Sequence, residues 1–86
     1  NPSSNFIILE TKGEISAISI FDSYGKLMND IKEPETEIIQ MYWVDDELQY
    51  INGYTLDIND YTSGIYYINC LLTNGEILKK RFMVEN

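Results

Sequence analysis

Short runs of β-branched and aromatic residues, separated by turn residues, make up nearly the whole chain, and no stretch keeps helical spacing for three turns. Such runs favour strands. The predicted strands cover residues 5–11, 14–22, 26–32, 36–44, 48–51, 54–58, 66–72 and 76–84. The 86 residues give room for one domain with one core, and a single flat sheet would leave an apolar face in water. The pattern therefore predicts an all-β fold, an antiparallel β-sandwich of seven or eight strands.

Turn residues divide these runs. Residues 22–25 end in Gly25, which tolerates a positive φ, and residues 62–64 also end in a glycine. Asn-Gly pairs at 52–53 and 74–75 are typical of two-residue hairpin turns. We therefore expect a hairpin turn at each pair.

The composition excludes several chemistries. The chain has no His and one Cys, Cys70, so it lacks a Ser-His-Asp triad, an internal disulfide and the ligands for a His or all-Cys metal site. Six Lys and Arg against fourteen Asp and Glu give a net charge of −8. That charge repels phosphate backbones, so nucleic acid is not expected among the partners.

The sequence predicts neither a membrane-spanning segment nor an N-terminal secretory signal. No apolar run reaches the roughly 18–20 residues needed to cross a bilayer, and the N-terminus lacks a basic stretch followed by an apolar one. The chain begins at Asn1-Pro2 rather than Met, which predicts that it is a piece of a longer protein.

Acidic residues cluster at 33–37 and 45–47, where carboxylates could bind calcium. Neither cluster has the spacing of a calcium loop, and residues 57–60 begin such a motif that fails at Tyr61. A glycosidase-like carboxylate pair would need a cleft that a sandwich of this size rarely provides. We therefore interpret both clusters as solvated loops and protected strand edges.

Four aromatic residues gather in one stretch: Tyr42, Trp43, Tyr50 and Tyr54. If exposed, they could stack on sugar rings in a glycan-binding module. Alternatively, Trp43 shares a strand face with Ile39 and Met41, as a core residue would. The second interpretation predicts that Trp43 is mostly buried, since Trp is highly buried on average.

Two residues of the next run have predicted structural roles. Cys70 alternates in phase with Ile68 and Leu72 and is expected to behave as a small core residue. Tyr66 follows Gly64 by two, at the start of a strand. That position favours a tyrosine corner, in which the hydroxyl bonds to backbone a few residues upstream.

Half of the cations stand together near the C-terminus, at Lys79, Lys80 and Arg81. They either protect an exposed last strand from edge pairing or form a docking patch. Side chains alternate across a strand, so Lys79 and Arg81 are expected to face solvent while Lys80 faces the other way. Lys80 then either extends its ammonium group out to water or lies at a bulge.

Four motifs, in order along the chain, resemble those of one known family. Asn1-Pro2 before a β run resembles a Pro-Asn-Pro opening, and residues 18–26, I-S-I-F-D-S-Y-G-K, resemble I-x-I-Y-D-x-x-G-K. Residues 56–66 resemble L-D-ϕ followed by G-ϕ-Y, with ϕ apolar, and residues 74–84 resemble a closing G followed by K-K-x-ϕ-x-V. Together they resemble the C-terminal sorting domain (type A) of the type IX secretion system of Bacteroidetes.

The resemblance implies an immunoglobulin-like sandwich that acts as an address label, not as an enzyme, and needs no cofactor. Such a domain is covalently part of a cargo protein and passes through the periplasm. It is recognised by the outer-membrane translocon, and a surface sortase commonly cuts before it, so the cargo reaches the cell surface or is released. Self-association through an exposed edge strand is also possible.

The resemblance also assigns individual residues. The matched positions are Gly25, Lys26, Gly64 and Tyr66 at turns and the corner, and Lys79 and Lys80, with Arg81 beside them, for contact with the export machinery. Residues 33–53 are longer than the family's usual connection, which predicts an extra hairpin. The acidic and polar end, Glu85-Asn86, departs from the basic residue that closes many members.

Overall fold

The computed structural model describes residues 5–85, which form seven β-strands and no helix. The strands are β1 (Phe6–Thr11), β2 (Ile15–Phe21), β3 (Leu27–Lys32), β4 (Glu37–Val44), β5 (Glu47–Asp57), β6 (Gly64–Leu72) and β7 (Ile77–Val84). No part of residues 5–85 is a helix of the length and apolarity needed to cross a membrane.

The strands form two antiparallel sheets. The three-stranded sheet has the order β1-β5-β4 and the four-stranded sheet the order β3-β2-β6-β7. The chain passes from one sheet to the other after β1, β3 and β5, while β2–β3, β4–β5 and β6–β7 are hairpins. The predicted all-β fold is confirmed, and the arrangement is compatible with an immunoglobulin-like sandwich.

The core lies between the sheets and comes mostly from the four-stranded one. Its ten buried residues are Leu9, Ile15, Ile18, Ile20, Leu56, Tyr66, Ile68, Cys70, Leu72 and Val84. Cys70 is fully buried, as predicted, and burial raises the pKa of its thiol. Only Leu9 and Leu56 of this cluster belong to the three-stranded sheet.

Two predicted turns are present. In the turn at residues 22–25, the Asp22 carboxylate accepts hydrogen bonds from the backbone N–H of Tyr24 and of Lys26, each 2.9 Å long. Gly25 completes this turn with a φ of 86°. Gly75 in the β6–β7 hairpin has a φ of 94°, so the Asn74-Gly75 turn is confirmed.

The Asn52-Gly53 pair is not a turn, and that prediction was wrong. Both residues lie inside β5, and the hairpin turn is at Asp45 and Asp46, whose φ values are 49° and 67°. Asp tolerates this left-handed region better than most residues, and a two-residue hairpin turn of this kind needs it at both positions. Residues 33–53 do contain a hairpin strand pair, with its turn seven residues earlier than Asn52.

Tertiary contacts explain why an Asn-Gly pair lies within a strand. The Asn52 side-chain amide donates a hydrogen bond to the Gly13 carbonyl, 3.2 Å away. At Gly53, a Cβ atom would lie 2.9 Å from Cγ2 of Ile39 and 3.5 Å from Cγ2 of Ile8. Gly53 is therefore required by the side chains that cover it, not by a turn conformation.

The β4–β5 hairpin projects beyond the sandwich. The loop that contains Gly13 accepts a hydrogen bond from Asn52 of β5. From Asn52 back to Glu47, at the hairpin turn, β5 extends about 17 Å beyond this contact. Trp43 is 71% exposed and Met41 60% exposed on this projection, so the prediction of a buried Trp43 was wrong. The alternation that motivated it is broken between Ile38 and Gln40, where the register shifts, and Ile39 covers Gly53 on the other face. Met41 does share an apolar face with Trp43, but that face is open to solvent.

Candidate recognition surfaces

The three adjacent cations lie on β7, an edge strand of the four-stranded sheet, and all three are exposed. Lys79 pairs with Asn69 and Arg81 with Tyr67, so both cations point away from the core. Lys80 pairs with the buried Ile68 in a continuous register and is therefore not at a bulge. Its side chain leaves the inner face at the open side of the sandwich.

That open side is a groove between β1 and β7. Its apolar lining includes Ile7, Leu9, Ile68 and Phe82, and its volume is about 350 Å³, with Lys80 at its margin. An exposed Lys80 beside this groove fits the expectation that the ammonium group extends out to water.

The outer face of the four-stranded sheet combines cations with apolar side chains, and we call it the basic face. Its cross-strand rows are Leu27, Phe21, Tyr67 and Arg81; Asp30, Ser19, Asn69 and Lys79; and Lys32, Ala17, Leu71 and Ile77. Lys32 lies across the sheet from β7, about 14 Å away at three strand spacings. Its ammonium group is 3.1 Å from the Asp30 carboxylate.

The two sheets differ in the sign of their charge. The strands of the four-stranded sheet carry four cations and one acid: Lys32, Lys79, Lys80 and Arg81 against Asp30. The strands of the three-stranded sheet carry four acids and no cation: Glu10, Glu37, Glu47 and Asp57. In a chain of net charge −8, the positive charge is therefore concentrated on one side of the sandwich.

The Tyr66 hydroxyl donates a hydrogen bond to the Thr62 carbonyl, with an O···O distance of 2.7 Å. This is the hydroxyl-to-backbone bond predicted for a tyrosine corner, and Tyr66 is only 3% exposed. The ring stacks on Phe82 at a centroid distance of 5.4 Å and meets Tyr61 edge to face at 5.0 Å. Gly64, with a φ of 153°, begins the strand two residues earlier.

The turn and the corner lie side by side. Residues 22–24 and 62–66 line a single cleft of about 150 Å³. Two segments some forty residues apart in sequence therefore meet at one end of the sandwich. The matched positions Gly64 and Tyr66 lie in the second segment, and Gly25 and Lys26 directly follow the first.

Residues 1–85 match a family model described as the secretion system C-terminal sorting domain. The chain belongs to this family. No curated protein and no solved structure matches it. The chain is thus a C-terminal sorting signal for type IX secretion, part of a cargo protein that the secretion system recognises and exports through the outer membrane to the cell surface or the medium.

The family of C-terminal sorting domains is not an enzyme family. No group of three or more potential metal ligands occurs within residues 5–85, and the acidic clusters at 33–37 and 45–47 are exposed apart from half-buried Pro34 and Thr36. The comparisons connect the chain with sorting and none of them with glycan binding.

The four aromatic residues do not form one surface. Tyr54 packs against the core, and Tyr42 pairs with Gln49 on the outer face of the hairpin. Trp43 and Tyr50 lie on the opposite face, paired with Leu48 and Met41. The glycan platform proposed for all four is therefore not assembled in the sorting domain.

Two residues of the basic face were missed by sequence reasoning. Lys32 and Tyr67 join Lys79 and Arg81 through the pairings β2–β3, β2–β6 and β6–β7. The alternation within each strand shows which of its residues share a face, but only the strand order shows that four strands share one surface.

Proposed function

We propose that the outer-membrane translocon recognises the sorting domain through its basic face, and that Lys79 and Arg81 supply the decisive charges. The observation that carries this proposal is the separation of charge between the sheets, because four of the six cations lie on the strands of one sheet. A partner with an acidic, partly apolar surface would be attracted to this face and repelled by the other. The domain would therefore dock in one orientation.

The position of the charges on the sheet favours a kinetic role. Lys79 and Arg81 are exposed at an edge, where charges mainly raise the rate of association rather than the strength of the final contact. Tyr67 and Met83, exposed beside them on the same face, would supply apolar contact after docking. Lys80 faces the groove between β1 and β7 and would contact a partner only from that side.

In this proposal the folded domain is recognised in the periplasm, and a surface sortase separates it from its cargo after both have crossed the outer membrane. The Asp22 turn and the Tyr66 corner support this recognition indirectly. They use backbone and buried hydroxyl bonds to hold the sandwich together. We assign them a structural role and assign recognition to β7.

The test fuses the cargo's signal peptide, a fluorescent reporter and the sorting domain, and then fractionates cells of a type IX secreting species. We expect Lys79→Ala with Arg81→Ala to leave the domain folded and to hold the reporter in the periplasm. The charge-conserving pair Lys79→Arg with Arg81→Lys should be exported at the normal rate. Folding is checked by urea unfolding, and exposed charges contribute only about 0–1 kcal/mol to stability.

A matched control is Lys12→Ala with Lys26→Ala, which removes the same charge from the loops. The Lys26 contribution to the Asp22 turn is made by its backbone N–H, which this substitution retains. If both double variants slow export equally, overall charge matters and the basic face does not. Normal export of a folded Lys79/Arg81 variant would show that these cations protect the edge strand from pairing and take no part in recognition.

A further inference from the structure

Four of the strands within residues 5–85 lie at sheet edges, and β4 has the longest uncharged run among them. Its register against β5 shifts once, between Ile38 and Gln40. β7 carries three adjacent cations, β3 carries Asp30 and Lys32, and the short β1 carries Glu10. On β4, residues 38–44 read I-I-Q-M-Y-W-V, seven consecutive residues with no charge and no Pro. Proteins normally avoid such an edge, because its free N–H and C=O groups can pair with another strand.

Both faces of this edge are accessible. Met41 and Trp43 are 60% and 71% exposed on one face, and Val44 is 46% exposed on the other. The seven residues span about 24 Å, enough for a full strand of a partner. A strand added here would gain backbone hydrogen bonds along the edge and apolar contacts on both faces.

The surroundings of the strand define its partner by charge. Acidic residues stand at both ends of the uncharged segment: Glu35 and Glu37 before it, and Asp45, Asp46 and Glu47 after it. All five are exposed. A partner strand would therefore be complementary if about seven uncharged residues were flanked by Lys or Arg at both ends.

We propose that the β4 edge binds an extended segment of a partner protein, which adds as a strand beside residues 38–44 and presents basic residues to the two acidic ends. A second copy of this chain is the wrong occupant. Whether two β4 strands pair parallel or antiparallel, acidic ends meet acidic ends, and two net charges of −8 repel.

The β4 edge is distant from the first described residue and separate from the basic face. The Asn5 N–H donates a hydrogen bond to the Asn59 side chain at the far end of β5, about 33 Å from the hairpin turn. β7 lines its groove with β1, the other edge of the three-stranded sheet. The β4 edge therefore lies on the other side of the sandwich, and its variants can be distinguished from those that test export through β7.

The test titrates the 86-residue chain with a dye-labelled nonapeptide that has Lys at both ends and alternating Thr and Val between them. We expect binding that weakens as salt is added, with slower hydrogen exchange at the β4 amides. The same peptide with Glu at both ends should not bind. Asp45→Asn with Asp46→Gly keeps a favourable hairpin turn while removing two charges, and should weaken binding about fivefold, the effect of two exposed charge pairs.

Two further variants keep the result interpretable. Glu14→Gln with Glu85→Gln removes the same charge elsewhere and should leave binding unchanged. Met41→Lys puts a charge on the edge and should abolish binding in a chain that still unfolds cooperatively in urea. The proposal is overturned if the two peptides bind alike or neither binds, if protection falls on β7 instead, if sedimentation shows a dimer of the chain alone, or if soluble glycans and not the peptide quench Trp43.

Discussion

The β4–β5 and β6–β7 hairpins are built from similar sequences and have opposite surroundings. On one face of the first lie Met41, Trp43, Leu48 and Tyr50, and on one face of the second lie Tyr66, Ile68, Cys70 and Leu72. Both faces are apolar at a period of two. Yet Ile68 is 3% exposed, whereas Trp43 is 71% exposed.

The difference comes from what lies opposite each face. The β6 side chains pack against Leu9 and Leu56 of the other sheet, together with Ile18 and Ile20 of their own. The outer part of β4–β5 has no opposing layer, since Met41 and Trp43 are 60% and 71% exposed and belong to no part of the core cluster. An apolar strand face thus marks a surface that can be buried, and the fold decides whether its own chain or a partner buries it.

The largest expected effect comes from the same truncation made in each hairpin. Ile68→Ala opens a cavity in the core and should lower the free energy of unfolding by roughly 2–5 kcal/mol. Ile38→Ala, at a position that is 56% exposed, should cost less than about 1 kcal/mol, a loss of strand propensity. Urea midpoints of the two variants measure the contrast, and equal losses would show that Ile38 is packed in solution.

Removing one hydroxyl tests how much the corner contributes to β6. Tyr66→Phe leaves the Thr62 carbonyl without its 2.7 Å donor and should cost roughly 1–2 kcal/mol while the fold survives. Tyr67→Phe removes the neighbouring hydroxyl from the outer face and should change stability by no more than about 0.5 kcal/mol. An unchanged urea midpoint for Tyr66→Phe would contradict a structural role for this bond.

Much of the well-packed half of the molecule could be predicted from sequence, because its signals are local. The Asp22 turn depends on a carboxylate two and four residues from the amides it binds, and the corner on a hydroxyl four residues from its carbonyl. Cys70 is buried because an apolar run at period two follows a turn. Each of these follows from residue type and short spacing.

The projecting half could not be predicted, because its signals depend on residues far along the chain. Asn52 is held by Gly13 and Gly53 is covered by Ile8 and Ile39, so an Asn-Gly pair lies within a strand. Trp43 is exposed because it has no opposing layer and belongs to no part of the core cluster. The same limit applies to the basic face, where Lys32 reaches the β7 surface only through the order of the strands.

A smaller effect is expected on the free energy of unfolding at alkaline pH. Burial raises the pKa of the Cys70 thiol above its ordinary 9.0, and burial also raises that of Tyr61 above 10.0. Each group then holds its proton more tightly in the folded chain, so its stabilising contribution is present below the unfolded pKa and is lost as pH rises through the folded one. Urea unfolding from pH 7.5 upward should show stability falling first near pH 9.0, where the thiol titrates in the unfolded chain.

Cys70→Ala is the control for this loss, since it removes the thiol and should flatten the decline around pH 9.0 while lowering stability at every pH. Tyr61 is left to titrate at higher pH. A decline that persists unchanged in the variant would assign the pH dependence to other groups. Substitutions at Met41 or Trp43 should leave its shape as it is, because both side chains are largely exposed and lie outside the core cluster that contains Cys70.

The smallest expected change in stability is at Trp43. Truncating a largely exposed side chain with no opposing layer should alter the free energy of unfolding by no more than about 0.5 kcal/mol, so Trp43→Ala should unfold close to the parent midpoint.

The fluorescence emission of Trp43 in the folded chain should already lie near that of the unfolded chain. Asp45, Asp46 and Glu47 adjoin this Trp, and their charge should repel iodide and attract caesium at low salt. Added salt should therefore raise quenching by iodide and lower quenching by caesium, while neutral acrylamide quenches alike at both salt levels. Blue-shifted emission with weak quenching by all three would mean that the hairpin is covered in solution, and the contrast with β6–β7 would then disappear.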